Sequence, residues 1–140
     1  MTLYDYLSAI ESAKRERTLA EQRERALAKP PLKDRSRVPE LYECFKKQFP
    51  SKPKNQEVAM VRRRMFVLII ARLYCPHSLA GGKLGEVRGD IARIFHCSPS
   101  AISHSFRHLC FHFKNVKTFR QETEDVFRAI IEEKNINLHP

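Results

Sequence analysis

Pro99, Ser100, Ala101, His104 and Arg107 form a set whose types suit contact with base edges better than covalent chemistry. Ser100, His104 and Arg107 recur at helical spacing and share a face. Small side chains at the start of such a helix let it approach a DNA major groove closely, while imidazole and guanidinium groups further along can donate to bases. These five residues are the expected base contacts, and Ser98 and Ser103 beside them are placed for phosphates. On the inner face Ile102, Phe106 and Leu109 recur at the helical period. Ser98 offers an N-cap oxygen and Pro99 sits where a missing N–H costs nothing, so a helix is expected from Pro99 to about Phe113. Ahead of it, Ile91, Ala92 and Phe95 mark one face of a shorter helix that starts near Asp90. Asp90 to Leu109 thus has the spacing of a helix, a tight turn and a second helix. His96 stands in the turn where glycine is often found, and Ser105 holds a position that is commonly apolar.

Other chemistries find less support. His104, His108 and His112 are four apart and on one continuous helix would share a face, and two of them could hold zinc. The third is displaced by two turns, and no nearby carboxylate or C-x-x-C completes a set, so no metal is expected and His108 and His112 read as surface or packing residues. Asp90, Glu122, Glu124 and Asp125 read as helix-surface charges, not as a metal-binding triad, and no catalytic residue is assigned. The four glycines, Gly81, Gly82, Gly85 and Gly89, fall in one stretch, but no G-x-x-x-x-G-K-[ST] is present and no strand precedes it. No cofactor or small-molecule substrate is expected. Cys44, Cys75, Cys97 and Cys110 are widely spread and sit mostly beside apolar residues, as reduced thiols of a cytoplasmic protein do.

The elements that must position the reading residues follow from composition and period. Residues 2 to 28 contain neither proline nor glycine and favour helix. Their apolar stripe, Leu3, Tyr6, Leu7 and Ile10, fades after Ser12, which makes residues 1–28 a helical arm that docks weakly, pairs with a second copy or orders on a partner. Lys29 to Pro39, with three prolines among basic residues, reads as an extended, solvated linker that could also track a phosphate backbone. Residues 40–140 form the expected domain. Within it, Glu40 to Phe49 is a short helix with Leu41, Tyr42, Phe45 and Phe49 on one side. Gln56 to Tyr74 is the strongest helix, basic at Arg62, Arg63 and Arg64 and nearly all apolar from Phe66 to Leu73, hence buried all round. Ser78 to Gly89 is expected to be a flexible loop. A last helix from about Thr118 carries Phe119, Val126, Phe127, Ile130 and Ile131. No run alternates with period two, so the fold class is all-α, a bundle of about five helices containing a helix-turn-helix, with a helical N-terminal arm. The longest apolar run, Met65 to Ala71, is too short to cross a bilayer, and no membrane partner is expected.

Val61 to Tyr74, then His77-Ser-Leu79, then the pair of helices, resembles the C-terminal DNA-binding domain of the bacterial replication initiator and, more loosely, the Trp-repressor-like helix-turn-helix group. The resemblance covers about residues 55 to 113 and is one of pattern: a basic-led apolar helix followed by a reading motif. It implies that one or two of Arg62, Arg63 and Arg64 contact phosphates. The chain departs from the initiator family in its Gly81–Gly85 insertion, and in Phe95 to Ile102, where the family has a Gly-Arg-Asp-His-Thr-Thr signature. The family's DNA site is therefore not carried over, and without an ATPase module initiator activity is not implied.

Lysine plus arginine outnumber aspartate plus glutamate 26 to 16, a formal charge of +10, which favours a polyanionic partner. Together these features point to a sequence-specific protein of double-stranded DNA, a bacterial or mobile-element transcription regulator. Lys83 and Arg88 join the three arginines as expected phosphate contacts. The alternative is an interaction or scaffold component of a replication or conjugation complex. Two-fold symmetric sites would require a homodimer, joined through the arm or through the last helix.

Overall fold

The structure, a computed structural model, describes residues 1–138; positions 139 and 140, the end of the expected domain, lie outside them. Every regular element among the described residues is helical, an all-α bundle with a helical arm. No helix is long and apolar enough to cross a membrane.

Helix α1 spans Leu3–Leu27. The Asp5 N–H donates to Thr2 Oγ1 and the Thr2 N–H donates to the Asp5 carboxylate, both at 3.1 Å, which satisfies two orphan donors reciprocally. None of its residues is buried. The chain then enters the bundle earlier than its prolines suggest. The Leu32 N–H donates to the Leu73 carbonyl at 3.0 Å, the Tyr74 hydroxyl donates to the Asp34 carbonyl at 2.8 Å, and Asp34 caps a single 3₁₀ turn, Arg35–Arg37. Helix α2, Val38–Lys47, follows at once. The segment expected to be a solvated linker is therefore docked over its second half. Leu32 and Val38 bring apolar surface to the core, and Pro39 falls in the first helical turn, where a missing donor is tolerated.

Helix α3, Gln56–Tyr74, is the axis of the bundle, and Asn55 caps it by accepting the Val58 N–H at 2.9 Å. Every residue from Met65 to Ala71 is buried, as an apolar run surrounded by other helices requires. Phe66 lies at the centre of an aromatic cluster, with ring centroids 5.1 Å from Tyr42, 5.2 Å from Phe45 and 6.0 Å from Phe95. These tilted and edge-on contacts bind α2 and the helix carrying Phe95 to α3.

The glycine-containing segment is less open than expected. Pro76–Ala80 forms a 3₁₀ helix ended by Gly81 in left-handed backbone (φ 103°), and Leu84 and Val87 are buried. Helix α4 accordingly begins at Val87, a turn before Asp90, and runs to Phe95. Helix α5 is Pro99–Phe106, α6 is Leu109–Asn115 and α7 is Lys117–Glu133. The single helix expected to reach Phe113 is thus broken. The Arg107 N–H reaches back only to the His104 carbonyl, at 3.4 Å, and His108 (φ −110°, ψ 3°) leaves helical backbone. On one unbroken helix Phe106, Leu109 and Phe113 would all face the same way. The break keeps Phe106 and Leu109 in the core while His112 and Phe113 turn onto Phe119 of α7, with centroids at 4.7 and 6.5 Å.

Candidate nucleic-acid interface

Helices α4 and α5 pack through Ile91, Ala92, Ile102 and Phe106, all buried. The turn between them rests on His96, a non-glycine residue in left-handed backbone (φ 54°, ψ 46°). This conformation lets both the His96 and the Cys97 N–H groups donate to the Ala92 carbonyl, the second at 3.0 Å, and closes α4. Two residues later Ser98 Oγ accepts the Ala101 N–H at 3.2 Å, with Pro99 in the first turn. Ser98, expected at a phosphate, therefore spends its hydroxyl oxygen on the cap. Ser105 turns its hydroxyl back to donate to the Ile102 carbonyl at 3.1 Å, which allows a polar residue at a half-buried site.

The outward face of α5 carries Pro99, Ser100 and His104, exposed, with Ala101 and Ser103 half-buried and Arg107 exposed where the helix ends. Beside it runs a groove of about 1090 Å³ between α5 and the glycine segment, lined by Lys83, Arg88, Pro99, Ser103 and Arg107. Arg88 Nη1 donates to Ser103 Oγ at 3.0 Å, so the guanidinium is held against α5. Five residues expected at DNA are thus brought to one groove.

Arg62, Arg63 and Arg64 are not among them. Arg62 donates to the Ser51 carbonyl at 2.9 Å and stacks 4.2 Å from the Phe49 ring centroid, and Arg63 stacks 5.8 Å from that of Phe95. Both line a different groove, between α2 and α3. Arg64 is half-buried on the same helix. Three successive residues point in three directions on a helix, and two of these are committed within the fold.

Arg35 also lines the groove beside α5, and the sequence reading did not single it out. Its guanidinium lies 3.4 Å from Glu86 Oε2 and 3.5 Å from Asp90 Oδ2. Asp90, read from sequence as a surface charge, is 9% exposed and also bonded by Arg93. Asp90 Oδ2 lies within ion-pair range of Arg35 yet accepts no well-directed hydrogen bond among the described residues. Removing Arg35 would therefore leave a buried charge with a single partner. The available signal was the basic character of the linker, which gives a cation but not its destination.

The helix break separates His104 on α5 from His112 on α6, so the three histidines do not share one face. Among the described residues no three His, Cys, Asp or Glu side chains gather as a metal ligand set. All four cysteines are unpaired thiols. Burial raises the pKa of Cys75 and of Cys110 at the groove wall, and burial with the neighbouring Glu133 carboxylate pushes Cys44 up to about 11. At the docked linker, burial pushes the Tyr74 phenol up to about 12, so the hydroxyl keeps its proton and donates it to the Asp34 carbonyl.

No family model, curated protein or solved structure matches the chain. The case for a function therefore rests on the chemistry of this surface.

Proposed function

We propose that the protein binds double-stranded DNA sequence-specifically, as a transcription regulator, with α5 in the major groove. The observation that supports this best is the pairing of a short-chained outer face on α5 with a row of cations beside it. Ser100, Ala101 and His104 are exposed or half-exposed at the start and middle of the helix, where a docked helix meets base edges. Lys83, Arg88 and Arg107 line the flanking groove, within reach of a phosphate strand that borders the major groove, while Arg35 beside them is paired with Glu86 and Asp90. Ser103 orients Arg88. Two copies of the protein would read a two-fold symmetric site, each α5 contributing one half.

Selection of bound duplexes from random DNA, followed by fluorescence anisotropy on the enriched sequence, tests this. Affinity should fall with salt at a slope of roughly −3 in log–log form, about −0.9 for each of the three groove cations that make no ion pair among the described residues, Lys83, Arg88 and Arg107. Arg88→Ala should lower that slope by about 1 on every duplex. Ser100→Glu with His104→Glu should abolish binding while leaving the thermal transition in place, because both side chains are exposed. Affinity that ignores salt, or that survives the two glutamates, would sink the proposal. Enrichment of no duplex with intact protein–protein association would favour the scaffold reading, which the uncovered apolar stripe of α1 supports.

A further inference from the structure

The first half of α1 is an exposed apolar and acidic surface, and the groove between α2 and α3 is an aromatic one with an excess of cations. Leu3, Tyr6, Leu7 and Ile10 follow the i, i+3, i+4, i+7 spacing of one helical face, and they remain 91%, 59%, 56% and 38% exposed. Around them stand Asp5 and Glu11, and no lysine or arginine occurs before Lys14. The α2–α3 groove encloses about 600 Å³. Its floor is apolar and aromatic, formed by Tyr42, Phe49, Met60 and Phe95. Its rim is basic: Lys46, Lys47, Lys52, Arg62 and Arg63 stand there against one acid, Glu43, which pairs with Lys46 at 2.9 Å. Lys47 and Lys52 make no ion pair among the described residues, and Lys46, Arg62 and Arg63 lie over the rings of Tyr42, Phe49 and Phe95.

From this complementarity we infer that the groove receives residues 3–11 of a second copy of the chain. The apolar stripe of α1 packs on Met60 and on the alkyl stems of the cations that lie over Tyr42, Phe49 and Phe95, and Asp5 and Glu11 meet Lys47 and Lys52. The partner is a second copy because α1 is one unbroken helix of 25 residues, about 37 Å long at 1.5 Å per residue. Its acidic, apolar end therefore lies at the far end of a rod from the docked linker, and within this chain it stays uncovered, with none of its residues buried. Exchanged between two copies, the contact is made twice and closes as a dimer. The dimer does not depend on DNA binding, and its test uses no DNA.

Sedimentation equilibrium on the full chain provides that test. Leu7→Glu with Ile10→Glu alters only the arm, which has no buried residue, and Lys47→Glu with Lys52→Glu alters only exposed groove positions. Neither pair should disturb the bundle, and circular dichroism melts check this. Each double variant alone should dissociate at least about tenfold more readily than the natural chain. An equimolar mixture should regain association, because one intact arm then meets one intact groove. A natural chain that stays monomeric at its solubility limit overturns the inference. Loss of association in the arm variant with full retention in the groove variant also overturns it, and shows arm-to-arm pairing instead. The reverse pattern shows that the groove meets some other surface, and overturns it equally.

Discussion

At His96 the backbone sits at φ 54° and ψ 46°, where an L side chain is disfavoured by roughly 1 kcal/mol or more. Its N–H and that of Cys97 close α4 onto the Ala92 carbonyl, so the angle between α4 and α5 depends on this conformation. Glycine adopts it without a Cβ penalty. His96→Gly should therefore stabilise the protein by about 0.5–1 kcal/mol in urea unfolding, after the gain is reduced by the extra freedom of glycine in the unfolded chain. His96→Val should destabilise it, because a β-branched residue is least tolerant of positive φ. A loss of stability in the glycine variant would show that the imidazole makes a contact worth more than the strain. The turn itself was legible in the sequence, since Ser98 and Pro99 announce a helix start through local chemistry. Asp90 was not. Whether a carboxylate is a surface charge or a buried one depends on Arg35, which reaches it from a distant segment whose composition fixes its charge but not where it docks.

The short helix α5 depends on how it starts and stops. Its N-cap is Ser98, whose Oγ takes the Ala101 N–H at 3.2 Å. Ser98→Ala should cost about 1 kcal/mol, Ser98→Gly a few tenths, and Ser98→Asp almost nothing. The same three variants divide structure from binding. Aspartate keeps the cap but sets a negative charge at the expected phosphate contact, so it should weaken DNA binding at unchanged stability, whereas alanine should lower stability with a smaller effect on affinity. Equal affinity for the serine and aspartate proteins would remove Ser98 from the interface. The far end of α5 was not legible. Periodicity from Ile102 to Phe113 fits one helix, and only the position of α7 makes a break favourable, because His112 and Phe113 have Phe119 to cover. Helix α3 was legible throughout, since an apolar run buried on every side has one place in a bundle. The docking of the linker's second half was not legible, because proline suits both a solvated chain and a first helical turn, and here Pro39 lies in such a turn with Val38 beside it fully buried.

Over the whole molecule the excess of ten positive charges acts on folding and on binding with opposite sign. Folding gathers cations, as at Lys83, Arg88 and Arg107 along one groove, and their mutual repulsion opposes the compact state. The compensating ion pairs are mostly exposed, and several are long, such as Arg17–Glu21 and Arg128–Asp125 at 3.9 Å. Pairs of that kind contribute about 0–1 kcal/mol each. Screening at 0.1 M salt, with a Debye length of about 10 Å, weakens repulsion across the groove more than it weakens contacts at a few ångströms. Sodium chloride should therefore raise the melting temperature, by about 4 °C for each 1 kcal/mol relieved. The same salt should lower affinity for DNA, because each counterion released into a more concentrated solution gains less entropy. Arg88→Ala should flatten both dependences, since it removes one cation from the groove that produces them, while Arg128→Ala, far along α7 and paired with Asp125, should flatten neither. Calorimetric melts and anisotropy titrations over one salt series measure the two slopes side by side. Stability that falls with salt would show that the exposed ion pairs outweigh the repulsion, and would place the charge excess outside the energetics of this groove.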